Sequence, residues 1–192
     1  MVEADLLDEN SMHNALEGSA YVVHVASPAP IDMVKDENEL IKPALGGTIA
    51  VLKACKAHKV QRLVITSSID AIVHPAPEDK PESGFFDESC WSNPLRKGGM
   101  DPYEKSKVLA EKAAWDFHEG LPEDEKFELV TICPGFVLGP ILCGPGFASG
   151  RAIEAVVNGE YPGLPRVSFP VVDVREIAQA HLQAVRVPEA KN

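Results

Sequence analysis

RLVITSS, residues 62–68, is the stretch that decides the fold. RLVIT is too short for a helix and carries three β-branched residues in five, the pattern of a strand covered on both faces, and two serines end it. Upstream, from Asp36, the pattern is helical: Ile41, Leu45, Ile49, Leu52 and Cys55 recur at helical spacing. Asp36 and Glu39 have the spacing of a capping box, and Pro43 is expected in the first turn or at a kink. Further upstream AYVVHVA, residues 20–26, reads as a second buried strand, followed by the loop SPAPIDM, residues 27–33.

Downstream of the serines lie about thirty irregular residues with prolines, glycines and Trp91, a length that suggests a functional loop. DPYEKSKVLAEKAAWDF, residues 101–117, then opens a helix over 102–119, with Asp101 as N-cap and Pro102 at the first helical position. Strand 127–132, FELVTI, follows, and the next loop is PGFVLGPILCGPG, residues 134–146. A helix near 147–158, a strand near 167–172 and an amphipathic helix capped by Asp173 complete the chain. Strands and helices in strict alternation imply right-handed crossovers, and so an α/β fold: a parallel sheet with helices on both faces.

The 192 residues suit one domain, and 45% apolar with 24% charged residues is ordinary globular composition. A net charge of −11 without a basic cluster argues against nucleic-acid binding. No apolar run approaches the roughly 20 residues of a membrane span, and the acidic amino terminus lacks a signal-peptide pattern, so a cytoplasmic protein is expected. Cys55, Cys90, Cys133 and Cys143 have neither metal-site nor disulfide-scaffold spacing, so reduced thiols and no metal are expected. Cys133 could sense oxidants, although a buried packing residue is the simpler reading.

In a parallel sheet the ligand lies beyond the carboxyl ends of the strands, where TSS (66–68) and PGFVLGP (134–140) fall. Tyr103 and Lys107 are one helical turn apart, so an ammonium can stand close to a phenol. That cation is expected to favour the phenolate and bring the proton within reach of neutral pH. Tyr103 can then protonate a carbonyl oxygen as hydride arrives at carbon, with Ser68 hydrogen-bonding that oxygen. Pro134 and the glycines after it would let backbone approach a flat ring. Each motif alone is equally compatible with a solvated helix face or ordinary turn chemistry; their order along one sheet rim is what points to a site.

Together ADLLD (4–8), VVHVASP (22–28), IKPALGGTIAVLKAC (41–55), RLVITSS, DESCW (87–91), YEKSK (103–107), PGFVLGP and DVREIAQAH (173–181) resemble a known family. It is the extended short-chain dehydrogenase/reductases, in the branch of dihydroflavonol reductase, cinnamoyl-CoA reductase and the yeast-type carbonyl reductases. The resemblance implies a catalytic Ser68, Tyr103 and Lys107, with Ser67 as a weaker alternative to Ser68. For the cofactor it implies Asp5 and Leu6 on the adenine side, Val25, Ala26 and Ser27 along the dinucleotide, and Thr66 beneath the nicotinamide. Pro134 and Val137 would form the nicotinamide loop, and Lys107 would also hold the ribose. The implied cofactor is NADP(H), with NAD(H) as the alternative, and the implied substrate a small carbonyl compound. The family's pattern around the tyrosine in cinnamoyl-CoA reductase is replaced by GMDPYEKSK, which disfavours that substrate.

The family's first strands and its glycine-rich GxxGxxG turn have no counterpart in the sequence. The fold expected is therefore a partial doubly wound, Rossmann-type sheet: the later part of a cofactor domain plus the start of a substrate lobe. Strand 20–26 would be an open edge, inviting self-association. A sugar-nucleotide epimerase or dehydratase, and a non-catalytic fragment acting through protein association, stay open as alternatives to the reductase.

Overall fold

A computed structural model of the chain describes residues 1–29, 34–142, 144, 148–163, 166 and 168–191. Parts of the expected loops 27–33 and 134–146, and the first residues of the expected helix 147–158 and strand 167–172, lie outside the described residues. The elements in order are α1 (Glu9–Leu16), β1 (Tyr21–His24), α2 (Asn38–Ala57), β2 (Arg62–Thr66), α3 (Pro102–Glu119) and β3 (Glu128–Ile132). Then come β4 (Phe136–Leu138), α4 (Ala148–Val157), β5 (Val171–Asp173) and α5 (Val174–Arg186).

β1, β2 and β3 form a parallel sheet in that order, with Tyr21 opposite Arg62 and Arg62 opposite Glu128. Side chains alternate across the sheet, so each strand serves two faces. Leu63, Ile65 and Leu129 join Val51, Leu52 and Cys55 of α2, Ala114 of α3 and Met12 and Leu16 of α1 in one apolar core. The opposite face carries α5, held by two side chains of β2. Arg62, only 4% exposed, donates to the carbonyls of Ala184 and Val187 at 2.7 Å and to the Glu128 carboxylate from Nε at 2.7 Å. A guanidinium at a helix C-terminus meets unpaired carbonyls and the negative end of the dipole together. At the other end of β2, Thr66 Oγ1 lies 2.6 Å from His181 Nε2. His181 Nδ1 is 2.8 Å from the Ile177 carbonyl, which can only accept; Nδ1 therefore carries the proton and the threonine hydroxyl donates to Nε2.

Several details differ from the sequence reading. β1 is covered on one face only: Val22 and His24 face α2, whereas Tyr21, Val23 and Val25 are 51%, 44% and 60% exposed, because α5 lies over β2 and β3. α2 buries Leu52 and Cys55 as expected, but toward its start it buries Leu40, Ala44, Gly47, Thr48 and Val51, while the expected Ile41, Leu45 and Ile49 are only half-buried. The small residues on the buried stripe let α2 and α3 pack closely. The capping box at Asp36 does not form; Asp36 Oδ1 instead accepts the Asn38 amide at 2.9 Å, and Pro43 sits in the second turn. α1, unforeseen, is capped by Asp8, whose carboxylate accepts from Asn10 and Ser11. Phe136–Leu138, read as loop, is a strand paired in parallel with β5.

Arg62→Ala should lower unfolding stability by about 3 kcal/mol, because it removes a buried guanidinium from the Glu128 carboxylate and from the Ala184 carbonyl at the end of α5. Urea unfolding followed by circular dichroism measures this; a loss under about 1 kcal/mol would mean that Arg62 does not anchor α5.

Candidate active site

The site is built at the carboxyl ends of β1, β2 and β3. The Ser67 amide still extends the sheet, donating to the Ile132 carbonyl at 2.8 Å, and the Ile69 amide donates to the Pro134 carbonyl at 3.0 Å. The serine turn and the Pro134 turn are thereby held side by side. Across from them, α3 starts at Pro102: Asp101 Oδ1 accepts the Tyr103 amide at 2.8 Å, and the Glu104 carboxylate accepts the Asp101 amide at 3.2 Å. This reciprocal cap fixes the first turn, and with it the phenol of Tyr103.

Lys107 Nζ lies 5.6 Å from the centroid of the Tyr103 ring, and the Ser68 hydroxyl lies beside the phenol. Ser68, Tyr103 and Lys107 therefore converge on one small region. The electrostatics differ from expectation, for the Tyr103 phenol is pushed above its ordinary value, not below it. Burial is the larger cause, the negative charge of Asp70 the second, and the Ser68 hydroxyl offsets them in part. Burial lowers Lys107, while the carboxylates of Asp70 and Glu111 act in the opposite direction. The half-buried phenol therefore holds its proton more tightly than a free one, so the Lys107 cation does not by itself bring it toward neutrality.

Two carboxylates that the sequence reading missed organise this region. Glu111, 5% exposed and one turn beyond Lys107, accepts from the Ser67 hydroxyl and from Trp115 Nε1 at 3.3 Å. Its spacing from Lys107 was a readable signal. Ser67 turns its proton to Glu111 and lines the crevice beside it. Asp70, in a 3-10 turn over Ile69–Ala71, takes the Ser68 proton at 2.9 Å. Burial and Glu111 push the Cys133 thiol up to about 12, so it is protonated and unsuited to oxidant sensing.

Of the expected cofactor residues, Ala26, Ser27 and Thr66 share a narrow crevice with His24, Thr48, Ser67, Lys107 and Glu111. The Lys107 ammonium, 7% exposed, borders that crevice with donors to spare, which suits a diol such as a ribose. Val25 points to the exposed face of β1. Leu6 packs over Gly47 of α2, and the exposed Asp5 carboxylate accepts the Leu7 amide at 2.8 Å, so both sit on α2's side of the sheet and apart from the catalytic candidates. Pro134 is buried at the rim and Val137 half-buried within β4. The glycines beside them sit against the residues flanking β5: a side chain on Gly135 would run into the Pro170 carbonyl, and Gly139, at φ +144°, packs on Val174. A wide concavity lined by Lys53, Lys56, Phe117 and Glu125 lies at the far end of the sheet and holds none of these residues.

The sequence model of the 3-beta hydroxysteroid dehydrogenase/isomerase family matches residues 1–186. The chain belongs to that family. It is 36% identical to a cinnamoyl-CoA reductase of Medicago truncatula over 96% of this chain and 55% of the relative. With a dihydroflavonol 4-reductase of Medicago sativa the identity is 39%, over 73% of this chain and 63% of the relative. The yeast methylglyoxal/isovaleraldehyde reductase Gre2 complexed with NADPH superposes with a TM-score of 0.82 at 28% identity, covering 98% of this chain and 60% of that one. The chain thus spans little more than half the length of several of these relatives, and its sheet is a partial Rossmann-type sheet. Among the described residues no helix is long and apolar enough to cross a membrane.

His24 supplies a pH test of this family member. Burial, and then the charge of Lys107, lower it from 6.5 to about 4. Between those values the unfolded chain binds a proton that the folded chain refuses, so stability is full above 6.5 and falls as the pH drops toward 4. The loss attributable to His24 should be about 3 kcal/mol, and His24→Gln should remove that part of the pH dependence. Parallel urea titrations at pH 7 and pH 4.5 check this; identical pH dependence in both proteins would contradict it.

Proposed function

We propose that this chain carries the catalytic centre of an NADPH-dependent reductase of aldehydes or ketones. The observation that carries the reading is geometric: the half-buried phenol of Tyr103 stands at the sheet rim with Lys107 Nζ 5.6 Å from its ring centroid and Ser68 beside it. The NADPH seen with the yeast relative, and the reductase activities named for the others, support the cofactor and the reaction class.

Ala26, Ser27 and Thr66, which line one narrow crevice with the Lys107 ammonium, would hold the nicotinamide and ribose end of the cofactor, which when bound supplies a hydride. Tyr103 donates its phenolic proton to the carbonyl oxygen as negative charge grows there, so the oxygen stays on its carbon as the alcohol's hydroxyl. The resulting phenolate is stabilised by Lys107 and takes its next proton from solvent. Lys107 keeps its charge in this buried setting through Glu111 and Asp70. Ser68 holds the reacting oxygen against Tyr103. The exclusion of water from this buried corner strengthens each of these interactions.

Tyr103→Phe should lower kcat for aldehyde reduction by about 100-fold or more while changing the NADPH Kd less than about threefold. Steady-state kinetics paired with fluorescence titration of NADPH measure both, and unchanged turnover would remove Tyr103 from the mechanism.

A further inference from the structure

The Ser68 hydroxyl has one proton and two lone pairs. The proton goes to Asp70 Oδ2 at 2.9 Å, and one lone pair accepts the Asp70 amide at 3.2 Å. One lone pair is left, which can accept from the Tyr103 hydroxyl. A serine that serves an oxyanion must donate, so Ser68 has to turn its proton from Asp70 toward a developing alkoxide or the Tyr103 phenolate before it can stabilise either, and Asp70 competes for that proton. The same carboxylate is close enough to act electrostatically on Tyr103 and Lys107, which no other described acid does for both. The backbone places it there: Ser68 is the N-cap of the 3-10 turn Ile69–Ala71, which folds Asp70 back over the site.

We infer that Asp70 is a positioning residue of this site: through Ser68 and through its charge it holds the centre in the proton-donating state and sets the upper pH limit of the reaction. The inference rests on the proposed reductase reading for its catalytic consequence, but not for its physical one. Several titratable groups face Asp70. His74 follows it in the loop, and Glu104, Tyr103 and Lys107 come from α3. Atoms of Asp70, His74 and Glu104 lie within 4.8 Å of one another. Glu104 is held by Arg96 at 2.7 Å and by the Asp101 amide, so its charge is largely spent on those partners. Lys107 is the cation opposed to Asp70, and Glu111 lies on its far side.

Because Tyr21 and Tyr161 are about half exposed, both can be changed to Phe, leaving Tyr103 as the one ionising phenol. In that background the phenolate absorbance near ~295 nm is titrated with and without Asp70→Asn, which keeps an acceptor for Ser68 and removes the charge. Tyr103 should ionise lower by on the order of one pH unit in the variant, and Asp70→Glu should restore the parent value. An unchanged midpoint, with circular dichroism showing the fold intact, overturns the inference. If Asp70→Asn does not fold, Asp70→Ser gives the same comparison. The alkaline limb of kcat/KM should shift down by the same amount. An ionisation shift in a chain without turnover would uphold Asp70 and defeat the reductase reading. Turnover with no ionisation shift would do the reverse.

Discussion

Where α3 begins determines what the site can be. Asp101, Pro102 and Glu104 fix that start through a reciprocal cap, and Tyr103 stands in the first turn with Lys107 one turn on. The opposite half depends on β2 and β3 staying in register, because the last sheet contact, from Ser67 to Ile132, leads directly into the turn that carries Ser68. The phenol, the ammonium and the hydroxyl meet because two local signals, a helix cap and a strand end, are brought together by α2 and α3 packing on one side of the sheet.

Buried charge is managed differently at the two ends of β2. At its start Arg62 is matched by Glu128 and by the carbonyls that end α5, so its burial is structural. At its end Lys107 has Asp70 and Glu111 near it, and its ammonium still borders an open crevice. An incompletely paired buried cation costs stability, and such costs concentrate where a ligand is bound. Asp70 and Glu111 each take a serine proton as well, which divides the serine pair: Ser67 belongs to the packing of α3 and Ser68 to the phenol.

Much of this was legible in the residues. RLVIT and the helix from Pro102 to Glu119 fall where β-branching and the Asp-Pro start put them, because those signals are local. What escaped depends on contacts between distant segments. β4 has three residues and exists through its pairing with β5. The face of β1 depends on how far α5 reaches, and the stripe of α2 on how closely small residues let α3 approach. α1 offers only Met12 and Leu16 as a buried pattern. Asp70 reads as a loop acid until the turn after Ser68 brings it over the site. Its charge, with burial, reverses the direction expected for Tyr103 from the Lys107 spacing alone.

The central claim is that this cluster passes a proton to a carbonyl oxygen while hydride reaches the carbon. Its most direct test is isotopic. The purified chain is incubated with a simple aldehyde and NADPH deuterated at both C4 positions, and the alcohol is examined by mass spectrometry. The account predicts one deuterium on the carbinol carbon, and with unlabelled NADPH in D2O none on that carbon. Alcohol formed without the label, or no NADPH-dependent alcohol at all, would contradict it.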